Sequence, residues 1–345
     1  MVEQENIQIS EQEAQLYDRQ IRLWGLDAQK RLRSAKVCLI GMRGLGCEVA
    51  KNLVLSGINS LKMVDPANVT EEDATSQFLA PRDKIGSNRA EASLERVQQL
   101  NPMVEVTADK SPSTEKEAEF FKQFTIVIAT CTPKDELVRI NSICRAEKIK
   151  FYAGDVMGFY GFSFMDLVEH EYVEEEVTQN IQPSQSEGGD EPGQKKQKLE
   201  ETITKSVKKA MTFVSLAEAL KVDWSSELYA KRVKRMDPSF FLLQVLFEFQ
   251  NVVGHPPCPA TRDQDYAKLQ EVRNSTLTKL SVPVDKVSDE LLSLLFSELS
   301  PVCAIVGGVL SQEVIKAISN KDSPHNNFFF YNPVDSCGVV ETIGY

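Results

Sequence analysis

Residues 36–46, Lys-Val-Cys-Leu-Ile-Gly-Met-Arg-Gly-Leu-Gly, decide the fold. The first five are a short apolar run that ends at a glycine, which predicts a buried strand. The glycine-rich half opens a helical pattern that continues from Leu45 to Ser56. A glycine loop between a strand and a helix N-terminus is where phosphate groups bind in nucleotide-binding folds. The stretch therefore predicts the first strand, loop and helix of an α/β domain.

On both sides of this stretch, short apolar runs alternate with helical patterns. An opening helix is predicted by Ser10 and Glu13, which have the spacing of a reciprocal capping box. Further strands are predicted at 61–64, 104–107, 126–129 and 150–153, with helices at 88–100, 115–121 and 135–147. This alternation is typical of βαβ units, so we expect a doubly wound, mostly parallel, Rossmann-like sheet.

The composition changes between residues 179 and 207, where large apolar side chains are almost absent. Such a segment buries too little apolar surface to offset the entropy of ordering, which predicts a disordered acidic and basic linker. It separates a first domain part, 1–178, from an inserted, mainly helical segment, 208–285. Residues 286–345 then complete the domain, with predicted helices at 288–299 and 304–319 and a strand at 327–331.

Composition excludes several classes of protein. The formal net charge of −11 would repel phosphate backbones, so a nucleic-acid partner is not expected. The longest apolar-rich stretches, 240–249 and 301–310, are about half as long as a bilayer-spanning helix needs, so no membrane span is expected. The first ten residues lack the basic and apolar regions of a secretory signal, which predicts an intracellular protein.

Cysteine and histidine spacing predicts no metal site. None of the seven cysteines lies in a C-x-x-C pair, so neither a disulfide framework nor a zinc site is indicated. The three histidines are far apart and show no metal-ligand spacing. We expect the cysteines to be reduced thiols, most of them buried.

The glycine loop departs from the dinucleotide-binding pattern G-x-G-x-x-G. Arg43 stands where the middle glycine would let the backbone approach phosphates, between Gly41, Gly44 and Gly46. Asp65, 24 residues after Gly41, is placed to hold a ribose hydroxyl. The pattern alone supports two interpretations equally: a working nucleotide site, or a glycine turn kept for helix-to-strand packing.

Four separated motifs carry a more specific resemblance. They are Tyr17-Asp-Arg-Gln-Ile-Arg-Leu-Trp-Gly25, the glycine loop, Gly86-Ser-Asn-Arg-Ala-Glu91 and Pro301-Val-Cys-Ala-Ile-Val-Gly-Gly-Val-Leu-Ser-Gln-Glu-Val-Ile-Lys316. In this order they resemble the activating (E1) enzymes of ubiquitin and ubiquitin-like proteins. The resemblance implies a fold similar to the bacterial molybdopterin- and thiamine-pathway adenylating enzymes. It also implies ATP-dependent adenylation of a modifier's C-terminal glycine, usually followed by transfer to a cysteine.

The short chain and the tail Pro324-His-Asn-Asn-Phe-Phe-Phe-Tyr331 are most similar to the smaller subunit of the SUMO branch of this family. The resemblance implies an obligate heterodimer whose larger, catalytic subunit binds MgATP and SUMO and carries the thioester cysteine. The equivalent NEDD8 subunit is longer, through an inserted domain that is absent here.

Several positions that act in catalytic family members hold different residues in this sequence. The second aspartate after strand two, the Asn and the Arg that contact phosphates fall on Ala67, Asp73 and Ser76. Arg89 replaces the expected lysine, and the magnesium-binding aspartate falls on or beside Thr132. Without the metal ligand and the phosphate arginine, phosphoryl chemistry loses its charge stabilisation. The resemblance thus implies a degenerate site that binds no cofactor and has no thioester cysteine.

One residue, Arg19, matches a position that has a catalytic role in the family it resembles. The arginine at the position of Arg19 reaches, in this family, across the dimer to the phosphates of ATP bound by the second subunit. Arg22 lies one helical turn away and could assist. The opposing interpretation is that both are solvated helix charges.

Two rival activities are disfavoured by particular residues. A homodimeric adenylating enzyme is disfavoured by Ala67, Ser76 and Thr132, and an NAD-linked dehydrogenase is disfavoured by Arg43. Lys195, Lys196 and Lys198, inside the linker, predict either a short nuclear-import signal or a solvated charge cluster. We favour import, which predicts a nuclear protein.

Overall fold

The computed structural model describes residues 9–181, 200–332 and 334–345. The helices, in chain order, are α1 (Glu11–Leu16), α2 (Asp18–Trp24), α3 (Leu26–Leu32), α4 (Gly44–Ser56), α5 (Arg89–Leu100), α6 (Ala118–Phe121), α7 (Lys134–Ala146), α8 (Leu216–Leu220), α9 (Glu227–Arg235), α10 (Ser239–Val253), α11 (Arg262–Lys279), α12 (Asp289–Ser293) and α13 (Ser300–Ser319). The strands are β1 (Lys36–Ile40), β2 (Ser60–Val64), β3 (Glu105–Asp109), β4 (Ile126–Thr130), β5 (Lys150–Met157), β6 (Tyr160–Asp166), β7 (Glu169–Ile181), β8 (Glu200–Thr212), β9 (Phe328–Asn332) and β10 (Cys337–Glu341).

Eight strands form one mixed sheet in the order β10-β9-β6-β5-β4-β1-β2-β3. The pairings from β5 across to β3 are parallel, and those among β5, β6, β9 and β10 are antiparallel. Strand order reverses between β1 and β4, so the loops after these two strands diverge and leave a crevice at the carboxyl edge of the sheet. The sequence prediction of a doubly wound α/β fold is confirmed.

Alternate residues of the sheet face two separate cores. Val37 and Leu39 of β1 point into a core shared with α4, α5 and α13. Cys38 and Ile40 point into the opposite core, which includes α7, α10 and α11. Burial on both faces explains why β1 reads as a continuous apolar run instead of an alternating one.

Among the described helices, only α13 is long and apolar enough to cross a membrane. It packs against α4 and against β5 and β6, and 56% of its apolar window is buried inside the protein. At the contact with α4, a Cβ on Gly307 would lie 2.6 Å from the Cβ of Glu48. The glycine therefore permits the close approach of the two helices, which is the role of a core helix.

Two sequence predictions need correction. Residues 288–299 were expected to form one helix, but α12 ends at Ser293 and the chain turns toward the sheet, with Ser297 in the left-handed region (φ 74°). The segment 179–207 was expected to be disordered, but 179–181 and 200–207 belong to the paired strands β7 and β8, because backbone pairing continues outward from the buried base of the hairpin. The centre of that segment, with Lys195, Lys196 and Lys198, lies outside the described residues.

Candidate functional site

A cavity of about 660 Å³ lies at the carboxyl edge of the sheet, where β1 and β4 diverge. Its walls come from the loops after β1, β2, β4 and β5 and from the end of α10. Of the residues predicted to form the degenerate nucleotide site, the cavity wall contains Gly41, Arg43, Asp65, Ala67 and Thr132. The structure therefore brings the predicted loop and the ends of several strands together. We call the backbone of residues 41–46 the cradle.

The cradle glycines are required by packing. Gly41 has φ +85°, and a Cβ there would lie 2.3 Å from the carbonyl oxygen of Thr130. A Cβ on Gly46 would lie 2.0 Å from the carbonyl oxygen of Gly41, and one on Gly44 would lie 2.6 Å from the Cβ of Ser76. Larger residues cannot occupy these positions without moving the backbone. The glycine pattern is thus explained by the turn itself, whether or not a ligand binds.

A carboxylate occupies the position where the cradle would meet an anion. The backbone N–H groups of Gly44 and Leu45 each donate to the Glu298 carboxylate at 3.1 Å. The Ser76 hydroxyl donates to the same carboxylate at 2.9 Å, and the Arg43 Nε lies 3.4 Å from it. Free N–H groups and the helix dipole make the start of a helix a site for anions. Glu298, which is buried, fills that site from within the chain.

The loop that carries Glu298 is anchored to the turn between β5 and β6. The N–H of Gly158 donates to the carbonyl of Ser297 at 2.6 Å, and the N–H of Phe159 donates to the carbonyl of Leu294 at 2.9 Å. Ser297 adopts a left-handed conformation that costs free energy for a residue other than glycine. Glu298 is therefore held by the surrounding backbone and does not rest on its side-chain contacts alone.

Asp65, predicted to hold a ribose, is engaged with Arg89. Arg89 Nη1 donates to Asp65 at 2.9 Å, and its Nη2 donates to Asp73 at 3.1 Å. Asp65 also accepts from the N–H groups of Met42 at 2.8 Å and Ala67 at 2.9 Å. Burial alone would lower the pKa of Arg89, but the two carboxylates raise it. Arg89 thus stays charged, and its guanidinium is paired with both carboxylates.

Asp155, near the end of β5, lines the cavity, and its surroundings disfavour the charged form of its carboxyl group. Burial first, and then the charge of Glu298, raise its pKa to about 6, although the N–H of Val156 and the nearby Arg43 act in the opposite direction. Its neighbour Cys131 lies with Sγ 3.4 Å from the carboxylate. Burial and the charge of Asp155 raise the pKa of this thiol well above its usual range. Cys131 is therefore a protonated thiol, not a nucleophile.

The predicted magnesium position holds no metal ligand set. Thr132 Oγ1 donates to the carbonyl of Thr130 at 3.0 Å. Within residues 9–181, 200–332 and 334–345, no cluster of three or more His, Cys, Asp or Glu side chains is arranged to hold a metal ion. Glu298 already accepts from the N–H groups at the start of α4, and Asp65 is paired with Arg89, so a nucleotide bound through these groups would have to displace both contacts. The arrangement does not fit MgATP.

Sequence reasoning missed Glu298. It contacts Gly44 across a separation of 254 residues, and its own surroundings gave the pattern of a helix. No local spacing signals such a contact. The indirect signal was the glycine loop at a helix start, because the N–H groups of a buried helix start must find an acceptor.

Arg19 lies in α2, outside this cavity. It is exposed, and its guanidinium has no ion-pair or hydrogen-bond partner in the part of the chain that the structure describes. Arg22, one turn later, pairs with Asp18 at 3.1 Å, and both side chains are exposed. The two arginines predicted to act on a partner's nucleotide are thus on the surface, where they cannot serve this chain's own cradle.

A groove of about 930 Å³, lined by both polar and apolar residues, runs beside α2. Its floor is formed by α2, α4 and α13, and its rim by the base of the β7–β8 hairpin. Leu23 of α2 is 77% exposed, and Leu55 of α4 and Ile305 of α13 are also exposed. Exposed apolar residues gathered on one side of a protein indicate an interaction surface.

Comparison with known proteins identifies the family. Residues 17–341 match the ThiF family. The chain is 48% identical to SUMO-activating enzyme subunit 1 of Xenopus laevis over 344 residues, which cover 100% of the chain and 99% of that protein. The identity to SUMO-activating enzyme subunit 1 of Homo sapiens is 47%, covering 97% of the chain and 96% of the relative. For the Danio rerio protein of the same name it is 47%, covering 99% and 97%. The resemblance found in the sequence motifs is confirmed, and the chain belongs to the ThiF family.

Proposed function

We propose that this chain is the non-catalytic subunit of a heterodimeric E1 that activates SUMO. The observation that carries the proposal is the similarity, at 47–48% identity, to vertebrate proteins named SUMO-activating enzyme subunit 1. The similarity covers nearly the whole of this chain and of each relative. The NEDD8-type subunit, which is longer, is the less favoured candidate.

Division of labour between the subunits follows from the surroundings of Arg19 and of the cradle. The proposed partner is the larger catalytic subunit, SUMO-activating enzyme subunit 2, which binds MgATP and SUMO and carries the thioester cysteine. This chain binds no cofactor and supplies dimer surface and Arg19. A guanidinium offers planar, bidentate donors to phosphate oxygens as charge develops during adenylation. The exposed, unpartnered state of Arg19 within the described residues supports a role on another molecule.

The heterodimer is supported by the exposed apolar side chains of the groove beside α2. Leu23 and Leu55 would be costly to leave in water, and their burial against a partner of the same fold would bring α2 to the subunit boundary. Arg19, in the same helix, would then face the neighbouring site. The face that forms the dimer and the face that presents the arginine are thus parts of one surface.

The test is a pull-down of the tagged chain followed by an activity assay. We expect one stoichiometric partner, and we expect the pair, with SUMO, to catalyse ATP–pyrophosphate exchange that the isolated chain does not. Charging of NEDD8 instead of SUMO would reassign the modifier. Exchange by the chain alone at a rate near that of the pair would favour a homodimeric adenylating enzyme. Tight NAD binding would favour a dehydrogenase.

We also propose that the heterodimer works in the nucleus and that Lys195, Lys196 and Lys198 assist nuclear import of this subunit. The motivation is the short basic cluster within an otherwise acidic chain. Replacing all three by alanine should shift the unassembled subunit toward the cytoplasm in fluorescence images. An unchanged distribution would refute the import role and leave the E1 proposal intact.

A further inference from the structure

We propose that Glu298 is the permanent occupant of the cradle: its carboxylate takes the place of a bound anion at the start of α4 and closes the chain's own site to phosphates. This inference concerns the chain by itself and holds whichever modifier the heterodimer activates. It explains how a subunit without a nucleotide keeps the architecture of a nucleotide-binding loop.

The contacts of Glu298 are those that an anion would make at this position. Two consecutive backbone N–H groups, of Gly44 and Leu45, donate to its two oxygens, one to each, at 3.1 Å. They begin a helix of 13 residues, whose dipole favours negative charge at this end. The Ser76 hydroxyl donates to the same carboxylate at 2.9 Å. The N–H groups of Gly44 and Leu45 at the start of α4 are therefore satisfied from within the chain.

Two arginines of the cavity wall already face carboxylates. Arg43 lies 3.4 Å from Glu298 and 4.0 Å from Asp73, and Arg89 is shared between Asp65 and Asp73. Asp155 adds a fourth carboxylate to these two arginines. An incoming phosphate would find more negative than positive charge among these groups, and it would have to displace Glu298 from the N–H groups of Gly44 and Leu45 before it could bind there.

The position of Glu298 is fixed by close packing and by the backbone of its own loop. The Ser76 side chain lies so close to Gly44 that a Cβ there would be 2.6 Å from the Ser76 Cβ. The N–H groups of Gly158 and Phe159 donate to the carbonyls of Ser297 and Leu294 and anchor the loop 294–298. The carboxylate is therefore held in the cradle from both sides.

The experiment compares four forms of the full chain: wild type, Glu298→Ala, Glu298→Gln and Glu290→Ala. Glu290 is exposed in the first turn of α12, so Glu290→Ala removes one negative charge without touching the cradle. Thermal unfolding is measured in 50 mM inorganic phosphate and in sodium chloride of equal ionic strength. The two media separate specific phosphate binding from screening.

We expect Glu298→Ala to lower Tm by about 4–8 °C relative to Glu290→Ala, because charge-assisted hydrogen bonds at a buried helix start are lost. Phosphate should then restore roughly 2–4 °C in Glu298→Ala alone, since the opened cradle binds the ion. Glu298→Gln should lose less, because the amide oxygen still accepts one bond, and should show no phosphate effect, because the side chain still fills the cradle.

The proposal is overturned if Glu298→Ala unfolds at the temperature of Glu290→Ala, or if phosphate stabilises all four forms equally. Should Glu298→Ala not fold, Glu298→Gln decides: a Tm equal to that of Glu290→Ala would refute the proposal, and a Tm lower by about 2 °C or more would support it. None of these outcomes depends on SUMO or on a partner subunit, so they are independent of the proposed E1 function.

Discussion

The cradle and helix α2 each present an arginine, and the two arginines have opposite surroundings. Arg43 in the cradle lies against Glu298 and near Asp73, and both carboxylates are buried. Arg19 in α2 is exposed and unpartnered within the described residues. In the cradle the charges satisfy one another, whereas in α2 a cation is left for something outside the chain.

This difference separates two kinds of charged site. A buried group must find partners in the folded chain, because an unpaired buried charge costs several kcal/mol. A cation left on the surface costs almost nothing in stability, and it can be kept for another molecule. Substitutions of the buried charges around the cradle should therefore change the stability of the chain. Substitutions of the exposed arginines of α2 should change the activity of an assembly.

The largest effect on stability is expected for Arg89→Ala. Arg89 bridges Asp65 and Asp73, and all three side chains are buried, so its removal takes away the cation that pairs with both carboxylates. We expect the free energy of unfolding to fall by about 3–5 kcal/mol at pH 7, measured by urea denaturation.

Arg82→Ala is the matched control, because Arg82 is exposed and lies on the same connection between β2 and α5. It should change stability by less than about 0.5 kcal/mol. Equal losses in the two variants would contradict the view that the cradle is closed by partnered charges.

Arg19→Ala should have the largest effect on activity. If Arg19 reaches the phosphate site of the partner, pyrophosphate exchange by the reconstituted pair should slow by about 10- to 1000-fold, since additional cations share the charge of the phosphates. The fold and the heterodimer should remain intact, as gel filtration would show. Arg19→Lys should recover little, because lysine offers a point charge and not a planar pair of donors.

Arg22→Ala sharpens this prediction. Arg22 already pairs with Asp18 on the same helix, so it should contribute less than Arg19. An unchanged rate in the Arg19→Ala complex would remove the arginine from the mechanism and leave α2 as dimer surface only.

The sequence was informative where structure depends on neighbouring residues. The run at 36–40 became β1 with the same limits, and Ser10 and Glu13 form the expected capping box. Strand β6 was missed because Gly158 is the single turn signal between the apolar residues of β5 and the aromatic residues of β6. The helix predicted at 288–299 failed because contacts with the β5–β6 turn draw the chain away after Ser293.

The site shows the same division. The glycine loop and Asp65 could be located from spacing and motif order, and the structure places both in the wall of one cavity. The pairing of Asp65 with Arg89 and of Glu298 with Gly44 could not, because each contact depends on how distant elements pack. Local patterns thus located the cradle, and only the fold reveals what closes it.

A smaller, pH-dependent effect is expected for Asp155→Asn. The folded pKa of about 6 lies above the usual value of 3.8, so the folded state binds the proton more tightly. The stability that Asp155 contributes is present below about pH 4 and is lost as the pH rises through 6. Asparagine carries no charge, so the variant should gain about 1 kcal/mol relative to wild type between pH 5 and pH 7.5.

Urea unfolding at the two pH values measures this gain, with Asp135→Asn as the control. Asp135 is exposed at the mouth of the same cavity, and its substitution should give no pH-dependent difference. A gain that is the same at both pH values would show that the negative charge of Asp155 does not destabilise the folded state. Arg43 would then compensate the charges of both Asp155 and Glu298.

The smallest effect is expected for the cysteines, which test whether any part of this chain performs chemistry. Cys38, Cys47, Cys144 and Cys303 are buried, and burial raises the pKa of each thiol, that of Cys144 to about 12. A thiol kept protonated is a poor nucleophile, because the thiolate is the attacking species. These four cannot carry a thioester without unfolding.

Cys337 is exposed and Cys258 is half-buried, so both are more accessible than the four buried cysteines. The Cys337 Sγ donates to the carbonyl of Asp335 at 3.2 Å. We expect Cys258→Ala and Cys337→Ala to leave thioester formation by the reconstituted pair within about twofold of wild type. Non-reducing gels with labelled SUMO would place the thioester on one subunit. A label on this chain that disappears in either variant would break the contrast between a closed cradle and an outward-facing α2, because the chain would then contribute its own nucleophile as well as Arg19.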